Sequence, residues 1–325
     1  MSTVLWTGAT GFFGRSLLRH IKAQGKGRSE WHLLGRDPQG FSQRWPDLAA
    51  VPQTLWHQGD IMTLVESHFP ELTHVVHAAA DSTSAAHLSH LQRFDQILEG
   101  TRRVLDLAVA RGAKRLLFTS SGGVYGRQPT TLPAIPEDYL GMPDPLGYPN
   151  VYSVAKRAAE HLCALYAEEY GLEIVVARCF AFVGEDLPLD VHFAIGNFIR
   201  DALWADEIVV NGDGTPLRSY LDQRDLARWL LALLFEGRPG EAYNVGSDEA
   251  ITIGDLAHLV RDLVSPGKPV RILGKPADNA ERNRYVPDIS KIAQDLGLRP
   301  KIGLEDSILN TARAVQARGN PCASC

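Results

Sequence analysis

Tyr152 and Lys156, in the run Tyr152-Ser153-Val154-Ala155-Lys156, are spaced i, i+4. On a helix that spacing brings a phenol and an ammonium to one face. An ammonium beside a phenol favours the phenolate and lowers a pKa that is about 10 in free tyrosine. Tyr152 is therefore expected to exchange a proton with an alcohol or ketone near neutral pH. Most helices with this spacing carry only a surface pair, so the reading needs neighbours. One is the stretch Thr119-Ser120-Ser121-Gly122-Gly123-Val124-Tyr125-Gly126, which follows a β-like run and supplies hydroxyls able to hold a reacting oxygen. Ser121 is the first choice there and Ser120 the second. The other is Gly8-Ala9-Thr10-Gly11-Phe12-Phe13-Gly14, with glycines at GxxGxxG spacing. Between a strand and a helix, such a turn lets backbone approach a pyrophosphate and aims the free N–H groups of the helix start at it.

For these groups to meet, strands and crossover helices must alternate. Apolar runs at 3–7, 31–34, 54–57, 74–78 and 115–119 do so with amphipathic stretches at 12–23 and 88–111. That rhythm predicts an α/β fold, a doubly wound parallel sheet of Rossmann type. A helix over 151–170 carries Tyr152 and Lys156 near its start, and a buried strand follows over 173–180. Between Arg127 and Asn150 the six prolines 129, 133, 136, 143, 145 and 149 predict a long surface loop. From about Gly184 the pattern is mixed, with a helix at 194–203, a strand at 208–210, a turn at 211–214 and a helix at 226–235. The expected organisation is a dinucleotide-binding domain over 1–180 and a smaller mixed α/β substrate lobe over 181–325, some of whose segments return to the main sheet.

The chain has 325 residues, 45% of them hydrophobic and 22% charged, the balance of a soluble globular protein. Its formal charge of −5 leaves no basic excess for a nucleic-acid backbone. The most lipid-like run, 229–235, is far shorter than the roughly 20 apolar residues of a membrane span. The N-terminal segment reads as a first strand and lacks the basic and apolar regions of an export signal, so the expected compartment is the cytoplasm. Four cysteines (163, 179, 322 and 325) are too few for a disulfide framework. The closing Cys322-Ala323-Ser324-Cys325 reads as an inert tail, and no metal site is expected.

At the end of the second strand, a cofactor without a 2′-phosphate usually meets an acidic residue. Here Gly35-Arg36-Asp37 follows Leu34. Arg36 suits a 2′-phosphate, which favours NADP(H), while Asp37 on the ribose would leave NAD(H) as the alternative. Asp60, after the third strand, is placed either on the adenine amino group or at a helix cap.

Together GATGFFG, His77-Ala78-Ala79-Ala80-Asp81-Ser82, TSSGGVYG, YSVAK and RSYLDQRD resemble the extended short-chain dehydrogenase/reductase superfamily, in its nucleotide-sugar epimerase, dehydratase and reductase branch. The resemblance implies a triad of Ser121, Tyr152 and Lys156, with Lys156 also on the nicotinamide ribose. It implies a cofactor site over Gly8, Thr10, Gly11, Phe12, Phe13, Gly14, Arg36, Asp60, Ile61, Ala78, Ala79 and Ala80. It further implies a nucleotide-sugar substrate held by Ser121, Gly122, Asn197, Arg218, and Arg282 or Arg284, and a homodimer joined through helices at 91–111 and 151–170. His77 and His192 are read as packing residues. Three positions depart from the family. Gly122-Gly123 replaces the acidic pair with which dehydratases remove water, Ala181 replaces an asparagine of Arg-x-x-Asn, and Arg36 replaces an acidic residue of NAD-retaining epimerases. The reading that follows is reduction of a 4-keto group by NADPH, with 4-epimerisation on bound NAD as the alternative and a non-catalytic NADP(H) sensor as the least favoured.

Overall fold

The computed structural model describes residues 1–25, 27, 29–80, 88–191, 193–275 and 283–319. The first half alternates as expected: β1 (Ser2–Thr7), α1 (Phe12–Gln24), β2 (Ser29–Gly35), α2 (Pro38–Arg44), α3 (Pro46–Ala49), β3 (Thr54–Gln58), β4 (His74–His77), α4 (His90–Ala110), β5 (Arg115–Ser121), α5 (Val151–Tyr170) and β6 (Glu173–Cys179). The second half runs β7 (Phe182–Val183), α6 (Ala194–Trp204), β8 (Ile208–Val210), β9 (Leu217–Arg218), β10 (Leu221–Asp222), α7 (Gln223–Glu236) and β11 (Ala242–Val245). It ends with β12 (Ile251–Thr252), α8 (Ile253–Val264), β13 (Val270–Ile272), β14 (Arg284–Tyr285), α9 (Ser290–Leu296) and α10 (Leu304–Arg318).

Seven parallel strands form the main sheet in the order β11-β6-β5-β4-β1-β2-β3. The order reverses between β1 and β4, the position at which such sheets open a crevice beyond their carboxyl ends. Side chains of β1 alternate: Val4 and Trp6 pack with α1 and α7 on one face, and Leu5 packs with α4 and α5 on the other. A third core joins α6, α8 and α10 through Phe198, Ile199, Val260 and Ile308. Phe12, in the first turn of α1, touches both that core and the first one.

Helix boundaries follow from caps that hydrophobic periodicity does not encode. α4 starts two residues later than the apolar pattern because Ser89 accepts from the Gln92 N–H while the Gln92 side chain accepts from the Ser89 N–H, a capping box. α7 starts three residues earlier, where Asp222 accepts from the Arg224 N–H at 2.8 Å. The proline-rich segment is a loop, closed by a short 3₁₀ turn over Tyr148–Asn150. Among the described residues, no helix is long and apolar enough to cross a membrane.

Candidate active site

A cleft of about 1540 Å³ opens over the carboxyl ends of β1, β4, β5 and β6 and runs into the second half of the chain. The glycine turn forms one end. Gly8 has φ of +76°, and a Cβ there would lie 2.6 Å from the Ala78 carbonyl oxygen. A Cβ on Gly14 would lie 2.0 Å from the Ala9 oxygen, so Gly14 lies outside the cleft lining and lets α1 close onto the turn. Thr10, Gly11, Phe12 and Phe13 line the cleft, as do Ala78 and Ala80. Ala79 is not among the lining residues; its N–H is held by the Thr7 hydroxyl. No side chain caps the amino end of α1. On the β5 wall the buried Ser120 hydroxyl has no hydrogen-bond partner among the described residues. An uncapped helix start, a turn that excludes side chains and an unsatisfied hydroxyl together fit a dinucleotide.

Arg36 is exposed and lines the same end. Asp37 is already engaged, accepting from the Gly40 N–H at 2.8 Å to start α2. Asp60 takes the capping alternative, accepting from the Met62 N–H at 2.9 Å, and Ile61 is buried with its methyl end near Gly100. Neither lines the cleft, because the 3₁₀ turn at 61–63 tucks this segment against α4.

Ser121, Tyr152 and Lys156 are brought together on the next stretch of wall. The Lys156 ammonium is buried, donates to the Thr119 carbonyl at 2.8 Å, and stands 4.7 Å from the Phe118 ring centre and 5.9 Å from that of Tyr152. Burial lowers its pKa to about 8. The expected lowering of the Tyr152 phenol by this lysine is not found. Burial pushes the phenol well above its ordinary value, Tyr285 and Cys179 push it further, and the cation that opposes them is Arg93, 5.0 Å from the ring centre. Proximity along the helix brings Lys156 to the right face, but its ammonium turns to the strand carbonyl.

Gly122 also differs from its expected place, for it is buried and does not line the cleft. A Cβ there would meet the Phe180 ring and the Tyr285 hydroxyl, each at 2.7 Å. The Tyr285 hydroxyl stands beside the Ser121 side chain and donates to the Cys179 carbonyl oxygen at 3.4 Å; burial raises its pKa to about 12. The carboxylates among the lining residues, Asp201, Asp206 and Glu207, all sit on or after the last turn of α6. None of them figures among the charges acting on Tyr152.

At the far end, Asn197 and Arg218 line the cleft. The Arg218 guanidinium donates to the Leu217 carbonyl and the Asn283 side chain, 6.0 Å from the Tyr285 ring centre. Arg284 does not line it: its guanidinium donates to the Pro133 carbonyl at 3.1 Å. Successive strand residues face opposite ways, so the cleft receives Tyr285 instead. Arg282, His192, Asp81, Ser82 and the two C-terminal cysteines lie outside the described residues. His77 is buried between Thr7 (2.8 Å) and Thr101 (3.2 Å). Sequence reasoning missed Tyr285 and Arg93. The first sits on a two-residue strand and the second on a polar helix face, so neither carries a periodic signal.

The doubly wound sheet, the glycine turn at its switch point and the Ser121–Tyr152–Lys156 wall define an extended short-chain dehydrogenase/reductase. Residues 4–246 match the NAD dependent epimerase/dehydratase family, and the chain belongs to it. It is 30% identical over 306 residues to UDP-glucuronic acid decarboxylase 6 of Arabidopsis thaliana, a match covering 94% of this chain and 86% of that one. The match to decarboxylase 3 of the same plant is 34% identical over 209 residues and spans 64% of this chain but only 59% of the relative. Among solved structures, UDP-glucose 4-epimerase of Thermotoga maritima with UDP-glucose superposes with a TM-score of 0.82 at 24% identity, covering 97% of this chain and 99% of that one. UDP-glucuronic acid 4-epimerase of Bacillus cereus, with UDP-glucuronic acid and NAD, gives 0.83 at 21% identity with the same coverage. Both share the fold.

Proposed function

We propose that the protein is an oxidoreductase acting at C4 of a nucleotide-linked sugar, reducing a 4-keto group with NADPH. The observation that carries this reading is the convergence of Ser121, Tyr152 and Lys156 on one wall, which among the described residues holds no carboxylate. Removing water from a sugar needs an acid and a base beyond the tyrosine, and Gly122 and Gly123 supply neither. The buried Gly122 leaves its space to Phe180 and Tyr285.

The glycine turn, Thr10 and the start of α1 hold the pyrophosphate, and Arg36 takes the 2′-phosphate because Asp37 is committed to α2. The nicotinamide supplies the hydride when bound. Ser121 holds the keto oxygen, and Tyr152 gives that oxygen its phenolic proton, so the carbonyl becomes an alcohol and the phenol is reprotonated from solvent. Lys156, anchored on the Thr119 carbonyl, binds the ribose and orients it. Arg218 and Asn197 hold the nucleotide diphosphate, with a fork suited to two phosphate oxygens at once.

A second reading, 4-epimerisation on bound NAD, is favoured by the relatives, since the B. cereus epimerase holds NAD. The same reading of the chain has residues 1–180 bind the dinucleotide and 181–325 the substrate, in a cytoplasmic homodimer joined through α4 and α5, where Leu165 and Tyr170 are exposed. Tyr152→Phe tests the reading. It should lower turnover of 4-keto nucleotide sugars about 10³-fold with cofactor affinity unchanged. Full activity in that variant contradicts it.

A further inference from the structure

We propose that Arg157 is a positioning residue that sets the Ser121 hydroxyl against the Tyr152 phenol. This rests on the reading of those two groups as the pair that meets the reacting oxygen. Ser153 and Arg157 form a second i, i+4 pair on α5, one residue on from Tyr152 and Lys156 and so about 100° round the helix. The first pair lines the cleft, and the second faces the 3₁₀ turn over Gly122–Tyr125, which Ser121 caps. The Arg157 guanidinium donates from one nitrogen to two carbonyls, that of Val124 in the turn at 2.8 Å and that of Gly141 in the proline-rich loop at 2.7 Å. Ser153 stands against Gly123, where a Cβ would collide with its hydroxyl and lie 3.3 Å from that of Ser121. α5 therefore approaches the turn as closely as a glycine permits.

These contacts fall on either side of Ser121 in the chain. Lys156 donates to the Thr119 carbonyl at 2.8 Å, two residues before the serine, and Arg157 to the Val124 carbonyl, three residues after it. Consecutive cations of the helix that carries the phenol thus grip the chain on both sides of the hydroxyl, through charge-assisted hydrogen bonds. Inside this bracket Ser121 Oγ accepts from the Gly123 N–H at 3.1 Å, and the Gly126 N–H donates to the Gly123 carbonyl at 3.0 Å, so the turn is held as a unit. Its far end is fastened to the sheet, where the Tyr125 hydroxyl donates to Asn244 on β11 at 2.8 Å. Without Arg157 the turn keeps that anchor and loses its tie to α5, so the serine shifts relative to the phenol while the fold stands. Two groups that must converge on one oxygen are sensitive to such a shift, since a displacement of about 1 Å can cost about a hundredfold in rate. Arg157 does not line the cleft, so its loss removes no contact to substrate or cofactor.

The test compares Arg157→Met, Arg157→Lys, Ser121→Ala and the double variant Ser121→Ala/Arg157→Met in the full chain. Without ligands, hydrogen exchange read by mass spectrometry should quicken at least about tenfold in a peptide covering 121–126 of Arg157→Met, and less than about twofold in one covering 115–118. With NADPH and the 4-keto nucleotide sugar that the parent reduces, Arg157→Met should lower kcat at least about tenfold, with KM for the sugar and affinity for NADPH within about twofold. Arg157→Lys, which retains a charged donor, should recover most of the loss. In the Ser121→Ala background the same replacement should cost less than about threefold, because the group it positions is gone. An equal cost in both backgrounds, a change in KM alone, or a lower melting temperature with kcat and exchange unmoved overturns the inference. Arg157→Gln is read in the same way if the methionine variant does not fold. Should the parent reduce no 4-keto sugar, the proposed function fails, and the exchange rates still decide whether Arg157 holds the turn.

Discussion

Tyr285 and Arg284 illustrate how adjacent residues divide between structure and site. The family resemblance offers Arg284, with Arg282 as the other choice, as a phosphate ligand, but the strand alternation of β14 sends Arg284 to the Pro133 carbonyl and the tyrosine into the cleft. Arg36 lines the cleft and its acidic neighbour is held by α2, so Arg36→Ala should raise KM for NADPH at least tenfold and leave KM for NADH within about twofold. Initial rates with the two cofactors check this; equal losses with both contradict it. The groups legible in the sequence are those whose geometry is local: the glycine turn, the serines at the end of β5, and the i, i+4 pair on α5. Lys156 shows where locality runs out. Spacing gives the face it shares with Tyr152, and only the packing of β5 against α5 gives the carbonyl it chooses.

Elements meet the cleft through buried polar links as well as apolar faces. Thr101 on α4 donates to the Ile97 carbonyl, so it accepts from Nε2 of His77 on β4; Nδ1 of His77 then accepts from Thr7 on β1, whose oxygen takes the N–H groups of Ala78 and Ala79. One neutral histidine thus ties two strands and a helix to the segment beside Gly8. Burial lowers its pKa to about 3, from about 6.5 in an unfolded chain. Between those values the unfolded chain binds more protons than the folded one, so stability falls as pH drops through this window, by up to about 1.4 kcal/mol per pH unit from this group. His77→Asn should be less stable than the parent at pH 7 and should flatten the loss between pH 6.5 and the acid limit. Urea unfolding at several pH values checks it, and parallel slopes in the two proteins contradict it. The alternation of strands and helices in the first half was plain from periodicity, because β1, β2, β4 and β5 are largely buried apolar runs, whereas the edge strand β3 has no buried residue. The two-residue strands β7, β9, β10, β12 and β14 carry too few side chains for a pattern and are fixed by tertiary pairing.

Across the whole molecule the cleft exists because the second half of the chain is fastened to the first. Asp186, whose side chain is fully buried, accepts from Arg19 at 2.6 and 3.1 Å and from Gln223 at 3.2 Å, and pairs with Arg15 at 3.3 Å. Arg15, Arg19 and Arg318 stack over the Trp45 ring, and Arg318 of α10 also pairs with Glu185. This cluster joins α1, the segment after β7 and α10 close to the glycine turn. Removing the carboxylate takes from two partly buried guanidiniums the acceptor they share, leaving Arg19 only Glu185 and Arg15 only backbone carbonyls, so Asp186→Ala should destabilise the fold by about 3 kcal/mol, read as a lower urea midpoint. A change below about 0.5 kcal/mol would contradict the fastening role. The account as a whole requires that a hydride land on C4 of a nucleotide sugar within this cleft. The most direct measurement supplies 4-keto nucleotide sugars and NADPH deuterated at the transferable position, and locates the label by NMR and mass spectrometry. The account predicts one deuterium at C4 of the product, lost in Tyr152→Phe; turnover that leaves C4 unlabelled would contradict it.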